Sequence, residues 1–137
     1  MGIFTSLRIS ASALTAERLR MDVIASNIAN AQTTRTAQGG PYQRQRVVFQ
    51  PVNNPDPREP GKGVVVTGIV PDTRPGNTVH DPNHPDADAQ GYVTYPNVDI
   101  ATEMVDMISA TRAYEANIVA LQAAKAMANK ALEISQG

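Results

Sequence analysis

Cysteine is absent from this 137-residue chain, and so is tryptophan. The first absence excludes disulfides and cysteine-ligated metal. The second, with aromatics at only 4%, removes the side chains that each bury the most area. A long apolar run is also missing: no stretch has the length and composition of a bilayer-spanning helix. The opening residues, "MGIFTSLRISASALTAERLRMDV", lack a basic segment followed by an unbroken apolar core, so they are not expected to act as a cleavable signal peptide. Gly2 and Ser6 match a myristoylation pattern formally, yet an apolar stripe beginning at Ile3 accounts for the same residues. The net charge is −1, which gives no overall field toward nucleic acid or an anionic membrane.

Proline is missing from both flanks. All ten prolines lie between Pro41 and Pro96. Because proline breaks helix interiors, the chain divides into a helical start, an irregular middle and a helical end. The expected boundaries are 1–31, 32–96 and 97–137. At this length one domain, or one small domain with attached helices, is the expectation. Hydrophobic residues make up 42% of the chain, but many are alanine. Large side chains contribute about 1.5–3 kcal/mol each when buried, and this sequence has few of them for a compact core.

In the first part Ile3, Leu7, Leu14, Met21, Ile24, Ile28 and Ala31 recur at helical spacing, interrupted by Ser10 and Glu17. Phe4, Ala11 and Ala25 form a narrower row beside them. The last part is more regular. Asp99 is placed as an N-cap, and Glu103 and Asp106 suit the positive end of the helix dipole. Met104, Met107, Thr111, Tyr114, Ile118, Leu121, Ala128 and Leu132 alternate by threes and fours, with Lys125 breaking the row once. Ile108 and Ala124 join the candidate packing positions, and Ala110, Ala113, Ala120, Ala124 and Ala131 line a second face. A helix apolar on more than one face requires more than one neighbour.

The middle reads as β and loop. "YQRQRVVF" (42–49) and "GVVVTGIV" (63–70) have strand composition, and "YVTY" (92–95) is a third candidate. The intervening "NNPDPREPGKG" and "PDTRPGNTVHDPNHPDADAQG" read as turns and loops. The fold class is therefore mainly α with a small β/loop middle, an α+β chain.

Candidate chemistry is sparse. "HDPNHPDAD" gathers His80, Asp81, His84, Asp86 and Asp88. Pro82 and Pro85 interrupt helical presentation of the two imidazoles, and no second cluster completes a closed site. A calcium-loop reading from Asp86 fails at its twelfth position, Asn97, where a bidentate Glu is required. A solvated turn is the expectation, with no metal and no cofactor. No serine sits in a nucleophile elbow, and no glycine loop cradles phosphate. Arg44 and Arg46, with Tyr42 and Phe49 nearby, are read as a solvated strand face or subunit contact rather than a nucleic-acid site. Tyr114 is read as a packing residue with its hydroxyl at the rim, and Asn117 and Asn129 lie close to apolar stripes, where a polar side chain fixes register or faces water. No catalytic residue and no small-molecule substrate are expected.

"SNIANAQTTRT" near the start and "EMVDMISATRAYEAN" within the last part resemble the paired signatures of the axial proteins of the bacterial flagellum. "TTRTAQGGPYQRQRVVF" and "HPDADAQGYVTYPNV" extend the likeness to nearly the whole chain, most closely to proximal subunits of the basal-body rod. The motif positions are Asn27, Asn30, Ala31, Thr33 and Thr34, then Arg112, Tyr114, Glu115 and Asn117. One departure is visible. Many axial proteins continue the first signature as Thr-x-Gly-Tyr, whereas here Thr34-Arg35-Thr36-Ala37 precedes Gly39-Gly40-Pro41-Tyr42. The resemblance implies terminal helices paired as a coiled coil in the inner layer of a tube, with the middle as an outer domain. It implies a structural, torque-transmitting subunit around an export channel, passed through the flagellar type III apparatus without a cleaved signal. Its implied partners are copies of itself, other rod subunits, an adapter at the rod base and a membrane-embedded ring, in a rod that spans the periplasm. The alternative reading is a coiled-coil adapter or binding module of another assembly. The exit segment "ASNIANAQTTRT" is then expected to satisfy backbone groups freed at the helix end and to touch neighbouring subunits.

Overall fold

A computed structural model describes residues 2–53, 56, 58 and 61–137. In chain order the elements are α1 (Ile3–Ala29), β1 (Gln45–Pro51), β2 (Val64–Pro71), β3 (Thr78–His80), β4 (Tyr92–Thr94) and α2 (Ile100–Gln136). Two long helices therefore enclose a small β middle. The turn expected over 53–63 lies outside the described residues at 54, 55, 57, 59 and 60, as does Met1.

No proline or glycine interrupts α1, so it propagates until Asn30. The Asn30 backbone N–H donates to the Ser26 carbonyl at 3.0 Å, and its side-chain amide donates to the same oxygen at 2.9 Å. One orphan carbonyl of the last turn is thus satisfied twice. At the other helix, Asp99 performs the expected capping: its Oδ1 accepts from the Ala101 N–H at 3.1 Å and its Oδ2 from the Thr102 hydroxyl at 3.0 Å.

The helices pack along one another with the end of α1 beside the start of α2, so they run antiparallel. Ala16, Val23 and Ile24 of α1 are buried, as is Ala110 of α2. The helices differ in length, at 27 and 37 residues. Because Asn27 is bonded to Glu103, antiparallel packing sets Ile3 beside roughly residue 127. Every residue from 129 to 137 is exposed. The last turns of α2 therefore project as a single helix.

β1 and β2 form an antiparallel hairpin running from Gln45↔Pro71 to Pro51↔Val64, with a register irregularity between Val48 and Phe49. β1 begins three residues later than the expected strand, because Tyr42 and Arg44 are engaged in tertiary bonds before the ladder starts. β3 pairs antiparallel with β4, with Val79 opposite Val93. This corrects the expectation that the stretch before Gly91 is turn and loop throughout. Three residues between Asn77 and Asp81 carry too little pattern to read as a strand, and they become one because β4 supplies the ladder. Val93 is fully buried.

The hairpin is held on α1 by a close approach. Ser12 donates its hydroxyl to the Ile9 carbonyl at 2.7 Å and accepts from the Val64 N–H at 3.1 Å. Gly63, at φ +118°, lies directly over Ser12, and a Cβ there would overlap the serine hydroxyl. Glycine is required both for the backbone conformation and for the contact. The core remains thin: Ala16, Val23, Ile24, Val93 and Ala110 are the buried apolar residues, joined by Asn27, Asp72 and Glu103.

Candidate functional site: a polar junction and the helix faces it orients

Three segments far apart in sequence meet at Asn27. Its side chain is 1% exposed, in the last full turns of α1. Oδ1 accepts from the Tyr42 hydroxyl at 2.8 Å and from the Gln45 N–H at 2.9 Å. Nδ2 donates to the Gln45 carbonyl at 2.9 Å and to Glu103 Oε2 at 3.2 Å. All four hydrogen-bonding positions of the amide are used. Bonded to both backbone groups of Gln45, the side chain acts as a one-residue strand partner at the start of β1.

Glu103 is equally buried, at 1%. Its second oxygen accepts from Arg44 Nε. The other Arg44 nitrogens reach Asp72 Oδ2 and Asp106 Oδ2, each at 3.5 Å. Burial opposes the Arg44 charge, but the Glu103 hydrogen bond and the fields of Glu103, Asp106 and Asp72 outweigh it, so its pKa is raised. Asp72 is held well below the usual carboxylate range, first by hydrogen bonds from the Arg74 side chain, including Nη2 at 2.5 Å, and then by the Arg74 backbone N–H. Asn97 closes the ring: it accepts from the Arg44 N–H at 2.8 Å and donates to the carbonyls of Asp72 and Arg74, both at 2.9 Å. Three carboxylates and two guanidinium groups thus join α1, β1, the end of β2 and α2.

A second tie lies beside it. Asp86 accepts from the Thr34 hydroxyl at 2.6 Å and pairs with Arg35 at 2.6 Å. The Thr34 hydrogen bond, assisted by the charges of Arg35 and His84, lowers the Asp86 pKa against a desolvation that would raise it. The Asp86 N–H donates to His84 Nδ1 at 3.0 Å. The loop around the two histidines is built from such turn contacts: Asp88 Oδ1 accepts from the N–H groups of Gln90 and Tyr92, and the His80 ring meets Tyr92 edge-on at 4.9 Å. Among the described residues no group of three or more His, Cys, Asp or Glu is placed to hold a metal.

The exit motif is therefore divided between two tasks. Asn27 and Thr34 make long-range bonds, whereas Asn30 and Thr33 bond to each other at 3.2 Å within the turn. Ala31 is half-buried. Arg44 corrects the reading of a solvated strand face: it is a component of the junction, and only Arg46 of that pair is exposed.

On α1, Ile24 is buried, and Ile3, Leu7, Leu14, Met21 and Ile28 are half-buried. On α2, Met107, Tyr114, Ile118, Leu121, Ala124 and Ala128 are half-buried. Met104, Ile108 and Leu132 are not on the intramolecular seam, being 54%, 58% and 61% exposed. The row facing α1 runs Glu103, Met107, Ala110, Tyr114, Asn117, Leu121, Ala124, Ala128, with Glu103 and Asn117 at heptad positions normally apolar. Asn117 Nδ2 bonds back to the Ala113 carbonyl at 2.8 Å. A search for apolar periodicity drifts one position away from such a row, toward Met104 and Ile108. Glu103, Arg44 and Asp72 were missed as a site. The available signal was the seven-residue repeat Glu103, Ala110, Asn117, Ala124, small or polar throughout. Arg112 and Glu115 of the family motif are exposed on the far side of α2.

Outside this junction α2 carries an uncovered apolar surface of Met104, Val105, Ile108, Val119, Met127, Leu132 and Ile134, and Phe4 is exposed at the start of α1. No described helix is long and apolar enough to cross a membrane. A β unit pinned rigidly to a helix pair whose outer faces remain apolar defines a structural, assembly-forming protein. Residues 7–35 match the family described as flagella basal body rod protein, and residues 89–134 match the C-terminal family of the flagellar basal body rod FlgEFG proteins. The chain is 49% identical over 152 residues to the flagellar basal-body rod protein FlgC of Borreliella burgdorferi, covering all of both chains. It is 47% identical over 150 residues to FlgC of Bacillus subtilis, and 41% over 136 residues to that of Escherichia coli O157:H7, each covering 99% of this chain and all of the relative. The chain belongs to the FlgC family of flagellar basal-body rod proteins, and its role is that of a structural subunit of the rod.

Proposed function

We propose that this subunit polymerises with other axial proteins and with copies of itself into the torque-transmitting shaft that surrounds the export channel. The observation that carries this reading is the two-sided apolarity of α2: α1 covers one face, while the row from Met104 to Ile134 stays uncovered. An adapter with a single helical seam needs no such second face. In this reading residues 1–31 and 97–137 are the assembly helices, and 32–96 form the outer domain. Ile3, Leu7, Leu14, Met21, Ile24 and Ile28 pack against Met107, Tyr114, Ile118, Leu121, Ala124 and Ala128, while Met104, Ile108 and Leu132 meet neighbours. The rod spans the periplasm, and the subunit reaches it through the type III export apparatus without losing a signal peptide. Its base contacts an adapter and the membrane-embedded ring. The chain performs no catalysis: the junction's charges are consumed in ion pairs, and their work is mechanical.

The test is complementation of a strain lacking this chain. Ile108→Asp places a charge on the uncovered face without touching the α1 seam. The expected result is normal secretion, no rod and no swimming. Wild-type swimming with complete rods would overturn the assignment of that face to assembly.

A further inference from the structure

A groove of about 980 Å³ opens at the end of the molecule where α1 stops and α2 begins. Its apolar lining includes Val79, Tyr95, Pro96, Val98 and Ile100, contributed by the β3–β4 pair and the first turn of α2, and Arg74 lines it as well. At the opposite end of the molecule, the last turns of α2 project past α1. Residues 129–137 are all exposed, and Ile134 is 76% exposed. A lone helix of two or three turns is marginal in water, so this segment gains most from a partner.

We propose that the groove receives the projecting end of α2 from a second copy of this chain. The argument is one of complementary ends. The groove and its occupant lie at opposite poles of one molecule, which gives a head-to-tail contact that propagates along an axis. Leu132 and Ile134 supply the apolar side chains that the groove's lining can cover. The polarity also matches. The last turn of α2 contains no basic residue and presents the negative end of the helix dipole. Arg74 offers a guanidinium donor, and the groove lies at the positive end of the receiving α2. This inference rests on the rod-subunit reading and adds to it the surface by which copies meet.

The chain has no cysteine, so engineered disulfides report the contact without background. Val79→Cys and Ile134→Cys both alter exposed side chains. Ile134 lies about 50 Å along α2 from Ile100, which rules out an intramolecular bridge, because disulfides need Cα atoms within about 7 Å. The double variant should be supplied as the sole copy, and cells should be oxidised mildly before basal bodies are isolated. The expected result is a disulfide-linked dimer, absent from a control carrying Val79→Cys with Val119→Cys. Adding Leu132→Asp to the double variant should abolish the dimer. Cells that swim on the double variant yet give no dimer would overturn the docking proposal and leave the rod reading intact. A cross-link of this chain to a different axial protein at Val79→Cys, with none between copies, would overturn it too. If the wild-type chain fails to restore swimming in the same strain, the rod reading itself fails.

Discussion

Removing the Arg44 guanidinium strands a carboxylate that has almost no access to water. Glu103 is 1% exposed, and of its two partners only the Asn27 amide would remain. Asp72 would keep Arg74, and Asp106 is sufficiently exposed to be rehydrated. The cost of Arg44→Ala is therefore concentrated at Glu103, and breaking a buried pair in this way costs about 3–5 kcal/mol. A chain of this size has roughly 7–20 kcal/mol of stability at the usual 0.05–0.15 kcal/mol per residue. With five buried apolar residues in its core, this one belongs at the low end, so the loss is a large share. If the stranded charge is the cause, adding Glu103→Gln to Arg44→Ala should return much of the stability, because the amide needs no counter-charge. The measurement is urea unfolding of the purified chain followed by far-ultraviolet circular dichroism, for the wild type, both single variants and the double. Arg44→Ala within about 1 kcal/mol of the wild type, or a double variant no more stable than Arg44→Ala, would refute the reasoning.

Ile118→Asp and Leu121→Asp put a charge on the half-buried α1-facing side of α2. Loss of the apolar side chain costs about 2–5 kcal/mol in a well-packed core, so both should abolish rod completion and swimming, whereas Gln136→Asp at the exposed end should not. Gly63→Ala should lower the melting temperature of the purified chain, because it forces a side chain into a positive-φ position and onto Ser12. The companion change Ser12→Gly in the same chain should recover only the steric part. The Asp72 and Asp86 carboxyls have lowered folded pKa values, so the unfolded chain binds more protons near and below the ordinary value of 3.8. Their contribution is complete above that pH and is lost as pH falls through the folded values. Melting temperature should therefore drop from about pH 4 downward, and less steeply in Asp86→Asn than in the wild type.

Much of the fold follows from local patterns. The confinement of proline to residues 41–96 delimits the two helices, Asp99 marks where α2 begins, and "GVVVTGIV" becomes β2 with little change of boundary. These features depend on φ restriction, capping and β-branching, all of which act within a few residues. The signatures around Asn27 and Tyr114 were equally legible, because they are contiguous words. What the sequence could not supply was which face of α2 meets α1. That choice was made by Glu103, a charged residue occupying a seam position because Arg44 and Asn27, 59 and 76 residues away, satisfy it there. Nor could it supply β3, which exists only against β4, or the ties from Thr34 to Asp86 and from Ser12 to Val64, each spanning 52 residues. Periodicity reports how a side chain partitions between water and apolar surroundings. It carries no record of a polar group buried because a distant partner neutralises it, and that pairing was decided only when the chain folded.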